Sequence, residues 1–126
     1  MLENGGSMSK KHKALLAEWQ NRLGLQDWTI KLRPKCKPDD MELQDVTGEA
    51  SWTESNKVAR ISILDPTYYG KRIVPFDWEK TLVHELLHLK TCLVSDDVGE
   101  LQQRYMHQMI DDLARAFVDA KRRESE

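Results

Sequence analysis

His84-Glu85-Leu86-Leu87-His88 lies inside a segment with helical periodicity, and no other feature of the chain restricts its fold and chemistry as tightly. Residues four apart on a helix stand one turn apart on the same face, so both imidazoles can reach a single point. Converging imidazoles are a preferred donor set for zinc, and placing two on one rigid element lowers the ordering cost of the site. Glu85 is turned about 100° from His84, too far round to complete the same ligand face. It can reach a water at the metal instead. Metal-assisted hydrolysis needs that division of labour: an acidified water, and a carboxylate that takes its proton and passes it to a leaving amine.

The helix carrying the motif has a clear start. Asp77 is a good N-cap, Glu79 suits the positive helix end, and Pro75 lies just outside. It is expected to run through about Cys92, with Leu82, Leu86, Leu89 and Leu93 as its buried stripe. Upstream, Leu15, Leu16, Trp19 and Leu23 recur at helical steps between Ser9 and Leu23, and Gly24 closes that helix. Trp28 to Arg33 alternates as a half-buried strand does, and Pro34 to Asp40 reads as a loop. Val46 to Thr53 and Val58 to Leu64 are further strands, joined by a turn at Glu54-Ser55-Asn56-Lys57. A connection around Ser95-Asp96-Asp97 opens a last helix from roughly Val98 to Lys121, with Met106, Met109, Ile110, Leu113, Ala116, Phe117 and Ala120 as its core stripe. The order is helix, three strands, helix, helix: an α+β domain with a mainly antiparallel three-stranded sheet.

A catalytic zinc site takes three protein ligands and leaves one position open. The last helix offers Glu100 and His107, seven residues apart and so on nearly the same side. His107 has Asp111 one turn further on, where a carboxylate could orient a metal-bound imidazole. Glu100 has only Arg104 at that offset and sits in a first turn, where an acidic residue needs no special explanation. His107 is therefore the expected third ligand, with Glu100 as rival. His12 lies among lysines and reads as solvated.

At 126 residues, with 40% hydrophobic content, the chain is long enough for one core and short for two. The first eight residues lack periodicity and read as a disordered extension; residues 9–126 read as a single domain. The net charge of −2 gives no overall signal for a nucleic-acid or membrane partner. The basic runs at Lys10, Lys11 and Lys13 and at Lys121-Arg122-Arg123 read as solubilising helix ends. Cys36 and Cys92 follow no metal or disulfide pattern, which suits reduced thiols in a cytoplasmic protein.

These residues resemble the gluzincin metallopeptidases, in which HExxH is followed by a glutamate on a later helix, often with an aspartate four residues on. Here His107-Gln108-Met109-Ile110-Asp111 occupies that slot, 18 residues beyond His88. The chain looks most like the single-domain minigluzincins and the small phage- or prophage-encoded proteins assigned as metallopeptidases. Thr81 to Lys90 (TLVHELLHLK) and Ile110 to Phe117 (IDDLARAF) carry that second likeness. Histidine stands where the family normally has glutamate, a departure that keeps Glu100 in play. The resemblance implies a zincin-like fold, a zinc cofactor, and hydrolysis of a protein or peptide substrate with Glu85 as general base. It also implies that Gly48-Glu49-Ala50-Ser51-Trp52 is the edge strand that pairs with substrate, with Ala50 offering backbone groups and Trp52 beside it. Tyr68, Tyr69 and Tyr105 are candidates by residue type for stabilising the oxyanion. Two other functions fit the motif: a regulatory ImmA-like or SprT-like protease, and a non-catalytic, zinc-stabilised interaction module.

Overall fold

A computed structural model describes residues 8–95 and 98–125. Among these, three helices and one three-stranded sheet form an α+β fold. Helix α1 spans Lys10–Arg22, strand β1 Thr29–Cys36, β2 Gly48–Thr53, β3 Val58–Leu64, helix α2 Trp78–Ser95 and α3 Glu100–Glu124. Single 3-10 turns at Pro38–Asp40 and Pro66–Tyr68 punctuate the connections. No helix among the described residues is long and apolar enough to cross a membrane. Of the supposed N-terminal extension, the first seven residues and Asp96-Asp97 of the expected acidic connection lie outside the described residues. Met8 packs against the core.

The local signals explain most of these elements. Ser9 caps α1 by accepting the His12 N–H at 3.2 Å, and Gly24 takes the left-handed conformation (φ +69°) that ends it. Asp77 caps α2, its Oδ1 accepting the Lys80 N–H at 3.1 Å. Lys57, also left-handed (φ 53°), closes the turn between β2 and β3.

The sheet has the order β1-β3-β2, with β1 parallel and β2 antiparallel to β3. The sheet is thus mixed, with one pair of each kind. Strand β1 runs on through Pro34 to Cys36, where a loop was expected. Its ladder is irregular between Arg33 and Cys36, and an edge strand with such a break tolerates a proline that cannot donate.

Helix α2 is the hub. Ala59, Ile61 and Ile63 of β3 press on one side of it, while α1 and α3 cover the other. Buried on both sides, α2 is apolar over much of its circumference: Leu82, Val83, Leu86, Leu87 and Leu89 are all in the core. Each such side chain contributes roughly 1.5–3 kcal/mol by leaving water. The stripe of α3 differs from expectation. Ile110, Ala114 and Val118 are buried, whereas Met109, Ala116 and Phe117 are exposed and Leu113 only packs against the rim. Two apolar bands lie side by side on this helix, and the one carrying Ile110, Ala114 and Val118 is the one turned into the core.

Polar contacts fix how α3 and α1 sit on α2. Arg122 donates to both oxygens of Asp77, at 2.7 and 3.0 Å. Glu79 Oε2 accepts the Trp19 indole N–H at 2.7 Å and the Lys121 ammonium at 2.5 Å, and Lys121 also meets Glu18 at 3.0 Å. Burial pushes the Glu79 carboxyl up, but the hydrogen bonds from Lys121 and Trp19 outweigh it and hold it below the usual carboxylate range. The run Lys121-Arg122, expected to be solubilising, therefore ties three helices together. His12 is half-buried rather than solvated, stacked on Trp78 with ring centroids 4.5 Å apart. The Trp78 indole in turn donates to the Pro34 carbonyl at 2.8 Å, tying α2 to β1. Both cysteines are buried thiols.

Replacing Glu79 with alanine leaves the Lys121 ammonium and the Trp19 N–H without their acceptor. We expect Glu79→Ala to cost about 2–4 kcal/mol and to lower the urea midpoint of the metal-free protein, with Glu79→Gln losing less. An unchanged midpoint would exclude this contact as a determinant of helix packing.

Candidate metal centre

The middle of α2 lies across from the first half of α3, and the pairing brings three histidines together. The ligand atoms of His84, His88 and His107 all lie within 4.8 Å of one another, and among the described residues this is the group able to hold a metal ion. The Nε2 atoms of His84 and His88 are 3.3 Å apart. Two metal–nitrogen bonds of about 2.0–2.1 Å meeting at a tetrahedral angle put their nitrogens roughly 3.3–3.4 Å apart, so this pair already has the span zinc requires. His107 is the exposed member, and its ring centroid stands 4.8 Å from that of His84 and 5.5 Å from that of His88. The donor set fits zinc.

Glu100 takes no part. Its side chain is 87% exposed and faces Arg104 at 3.7 Å, in the first turn of α3. Asp111 is in the site but serves a different histidine from the one expected. Its carboxylate lies 3.4 Å from Nδ1 of His84. Helix α3 carries His107 and Asp111 past α2 in the antiparallel sense, so each meets a side chain of α2 rather than its own neighbour. A proton on Nδ1 of His84 leaves the Nε2 lone pair turned toward the other imidazoles.

Burial lowers the pKa of His88 to about 4, assisted by the neighbouring His84 and His107, and burial first, then His107, lowers that of His84. Both rings are therefore neutral near pH 7, the form that binds metal. Glu85 is 5% exposed, and its carboxyl is pushed up to about 8, first by burial and then by the charge of Glu49.

These groups line a cleft of about 530 Å³ between α2, α3 and β2, with Leu43, Asp45, Val46 and Thr47 forming a further wall. Strand β2 is an edge strand, and its pairing is decisive for what it can bind. The Leu64 N–H donates to the Thr47 carbonyl at 2.9 Å, which makes Thr47 and Leu64 a hydrogen-bonded pair. Alternation along an antiparallel ladder then turns the backbone groups of Glu49 and Ser51 toward β3 and those of Gly48, Ala50 and Trp52 outward. The expected residues Ala50 and Trp52 thus stand at the cleft with their main-chain groups facing away from the sheet.

Several residues have roles in the site beyond those expected of them, and Lys80 was not foreseen at all. Gly48 lets β2 lie close to α2: a Cβ there would stand 2.7 Å from Thr81 Cγ2 and 3.3 Å from Glu85 Cγ. The isolated glycine at the head of a strand was the available signal. Glu49 accepts the N–H groups of Glu42 and Leu43 at 2.8 and 2.9 Å, holding the cleft wall. Lys80 lines the cleft one turn before His84 and pairs with Asp119 at 3.1 Å. No tyrosine is among the described lining residues. Tyr69 is used elsewhere, donating to the Val74 carbonyl at 2.6 Å, and Tyr68 and Tyr105 are exposed. Compared with protein-family models, curated proteins and solved structures, the chain matches none.

Two outcomes follow from the geometry. Zinc titrated into chelator-treated protein should bind at one site, and His107→Ala should weaken it by more than the roughly 10–100-fold lost with an orienting partner. Glu100→Ala should leave it unchanged, and the reverse order would assign the third ligand to Glu100. The second outcome concerns the metal-free protein. His84 and His88 titrate lower in the folded than in the unfolded state, so their contribution to stability grows as pH rises toward the unfolded value of 6.5. Glu85 titrates higher when folded, so its contribution falls between the unfolded 4.5 and about 8. Above 6.5 only the Glu85 effect remains, and the thermal midpoint should decline toward pH 8. Glu85→Gln should flatten that decline; an equal decline in the variant would contradict it.

Proposed function

We propose that this chain is a zinc-dependent peptidase that hydrolyses an extended protein or peptide segment laid along β2. One observation carries the reading: a buried carboxylate, a three-histidine group and the outward backbone of an edge strand all face the same cleft. When bound, zinc supplies a water acidic enough to lose its proton near neutral pH, polarises the scissile carbonyl and favours the ionised form of Glu85.

The chain's own residues do the rest. The N–H and C=O groups of Gly48, Ala50 and Trp52 hydrogen-bond an extended backbone and present one peptide bond to the histidines. Glu85, shielded from bulk water, accepts a proton from the attacking water and delivers it to the departing amine. Its high intrinsic pKa suits the second of these transfers. Asp111 holds His84 in the tautomer that leaves Nε2 available. Three protein donors opening on a cleft also separate this site from a purely structural one, which closes itself with four.

The test is cleavage of an unstructured protein such as casein, or of a random peptide library, by zinc-loaded protein. Glu85→Gln should retain zinc and lose roughly 10²–10⁴ in rate. Cleavage at the wild-type rate by that variant would sink the mechanism, and a zinc-loaded wild type inert toward every peptide would favour a binding module.

A further inference from the structure

The face of the sheet turned away from α2 carries polar side chains on all three strands. Register sets Arg33 beside Ser62, and Arg60 opposite Ser51 and beside Lys31. Arg33 and Arg60 are therefore diagonal neighbours on adjacent strands, within reach of one another's long side chains. They line a common cavity of about 130 Å³, several times the roughly 30 Å³ that a water molecule occupies. Arg33 donates from Nη2 to the Asp40 carbonyl at 2.6 Å, but its Nε is buried with no acceptor, the only such side-chain atom among the described residues. Among the described residues Arg60 has no ion-pair or hydrogen-bond partner there.

The cavity also holds the hydroxyl-bearing Ser51 and Ser62. Its carboxylates do not meet the arginines. Both oxygens of Glu49 accept backbone N–H groups, of Glu42 and Leu43, and Glu42 itself is exposed. Two guanidiniums beside one small cavity repel each other, and a buried N–H without an acceptor costs about 1–3 kcal/mol. A single anionic acceptor between them removes both penalties. The fixed donor fork of arginine matches oxyanions, and two guanidiniums with two hydroxyls offer more donors than the two oxygens of a carboxylate can engage.

We propose that this cavity is a binding site for a small tetrahedral oxyanion of the phosphate or sulfate class, held by the Arg33 and Arg60 guanidinium groups and the hydroxyls of Ser51 and Ser62. The site is independent of the metal centre and lies behind the cleft wall: Leu43, Glu49 and Ala50 border both cavities. A bound oxyanion pins the segment that carries Asp40 to Leu43 against the sheet.

The experiment follows the arginine Nε–H signals by NMR as inorganic phosphate is added to zinc-loaded protein at constant ionic strength. The Arg33 and Arg60 signals should move together and saturate with one binding constant. Arg60→Gln should weaken binding roughly tenfold or more, with zinc content unchanged and the phosphate-free thermal midpoint not lowered. A parallel titration with a phosphoserine peptide identifies the source: saturation by the peptide alone assigns the oxyanion to a phosphorylated chain, and saturation by phosphate to the free ion. An equal response of Arg33 in Arg60→Gln would mean an adventitious ion only. That result overturns the proposal, as would saturation by acetate at the same concentration, or an Arg33 signal unmoved by both phosphate probes.

Discussion

Ile110, Ala114 and Val118 lie one turn apart on α3 and press into α2, and the positions of His107 and Asp111 are set by where that seam comes to rest. A slide of one turn would carry His107 about 5.4 Å along α2 and take it away from the other imidazoles. Apolar packing alone resists such a slide weakly, because one turn of small and branched residues resembles the next. The far end of the seam supplies the stop. Arg122 holds Asp77 through two hydrogen bonds and Lys121 holds Glu79, so α3 is registered against the N-terminus of α2. A charged clamp at one end thus positions His107 and Asp111 at the other.

The same helix is positioned on its second side by a strand. Gly48 removes the one side-chain carbon that would keep β2 from Thr81 and Glu85. That close approach buries Glu85 and brings the outward backbone of β2 to the cleft. The two properties are linked: the carboxyl is desolvated by the strand that forms the cleft's edge.

Local signals in the chain were readable where the structure uses them locally. Asp77 caps α2 and the turn before Val58 closes a hairpin, because cap and turn chemistry act within a few residues. The HExxH spacing likewise fixes two imidazoles without help from the rest of the fold. What could not be read depended on distant partners. The phase of the buried stripe on α3 was missed because helical periodicity cannot choose between adjoining apolar bands; α2 chooses. Asp111 was paired with His107 by its offset along one helix, whereas antiparallel packing hands it to His84. Lys121 and Arg122 looked like surface charge because their acceptors lie more than 40 residues upstream. Pro34 looked like the end of a strand because its tolerance depends on β1 being at an edge.

An edge that presents unpaired backbone to a ligand presents it equally to another copy of itself. In β2 only Gly48, Ala50 and Trp52 face outward, and the strand has six residues in all. So short a template offers a second edge few main-chain hydrogen bonds, and Leu43, Asp45, Val46 and Thr47 wall the cleft beside it. At this edge the brevity of the strand limits how far a second sheet can pair with it in crowded solution.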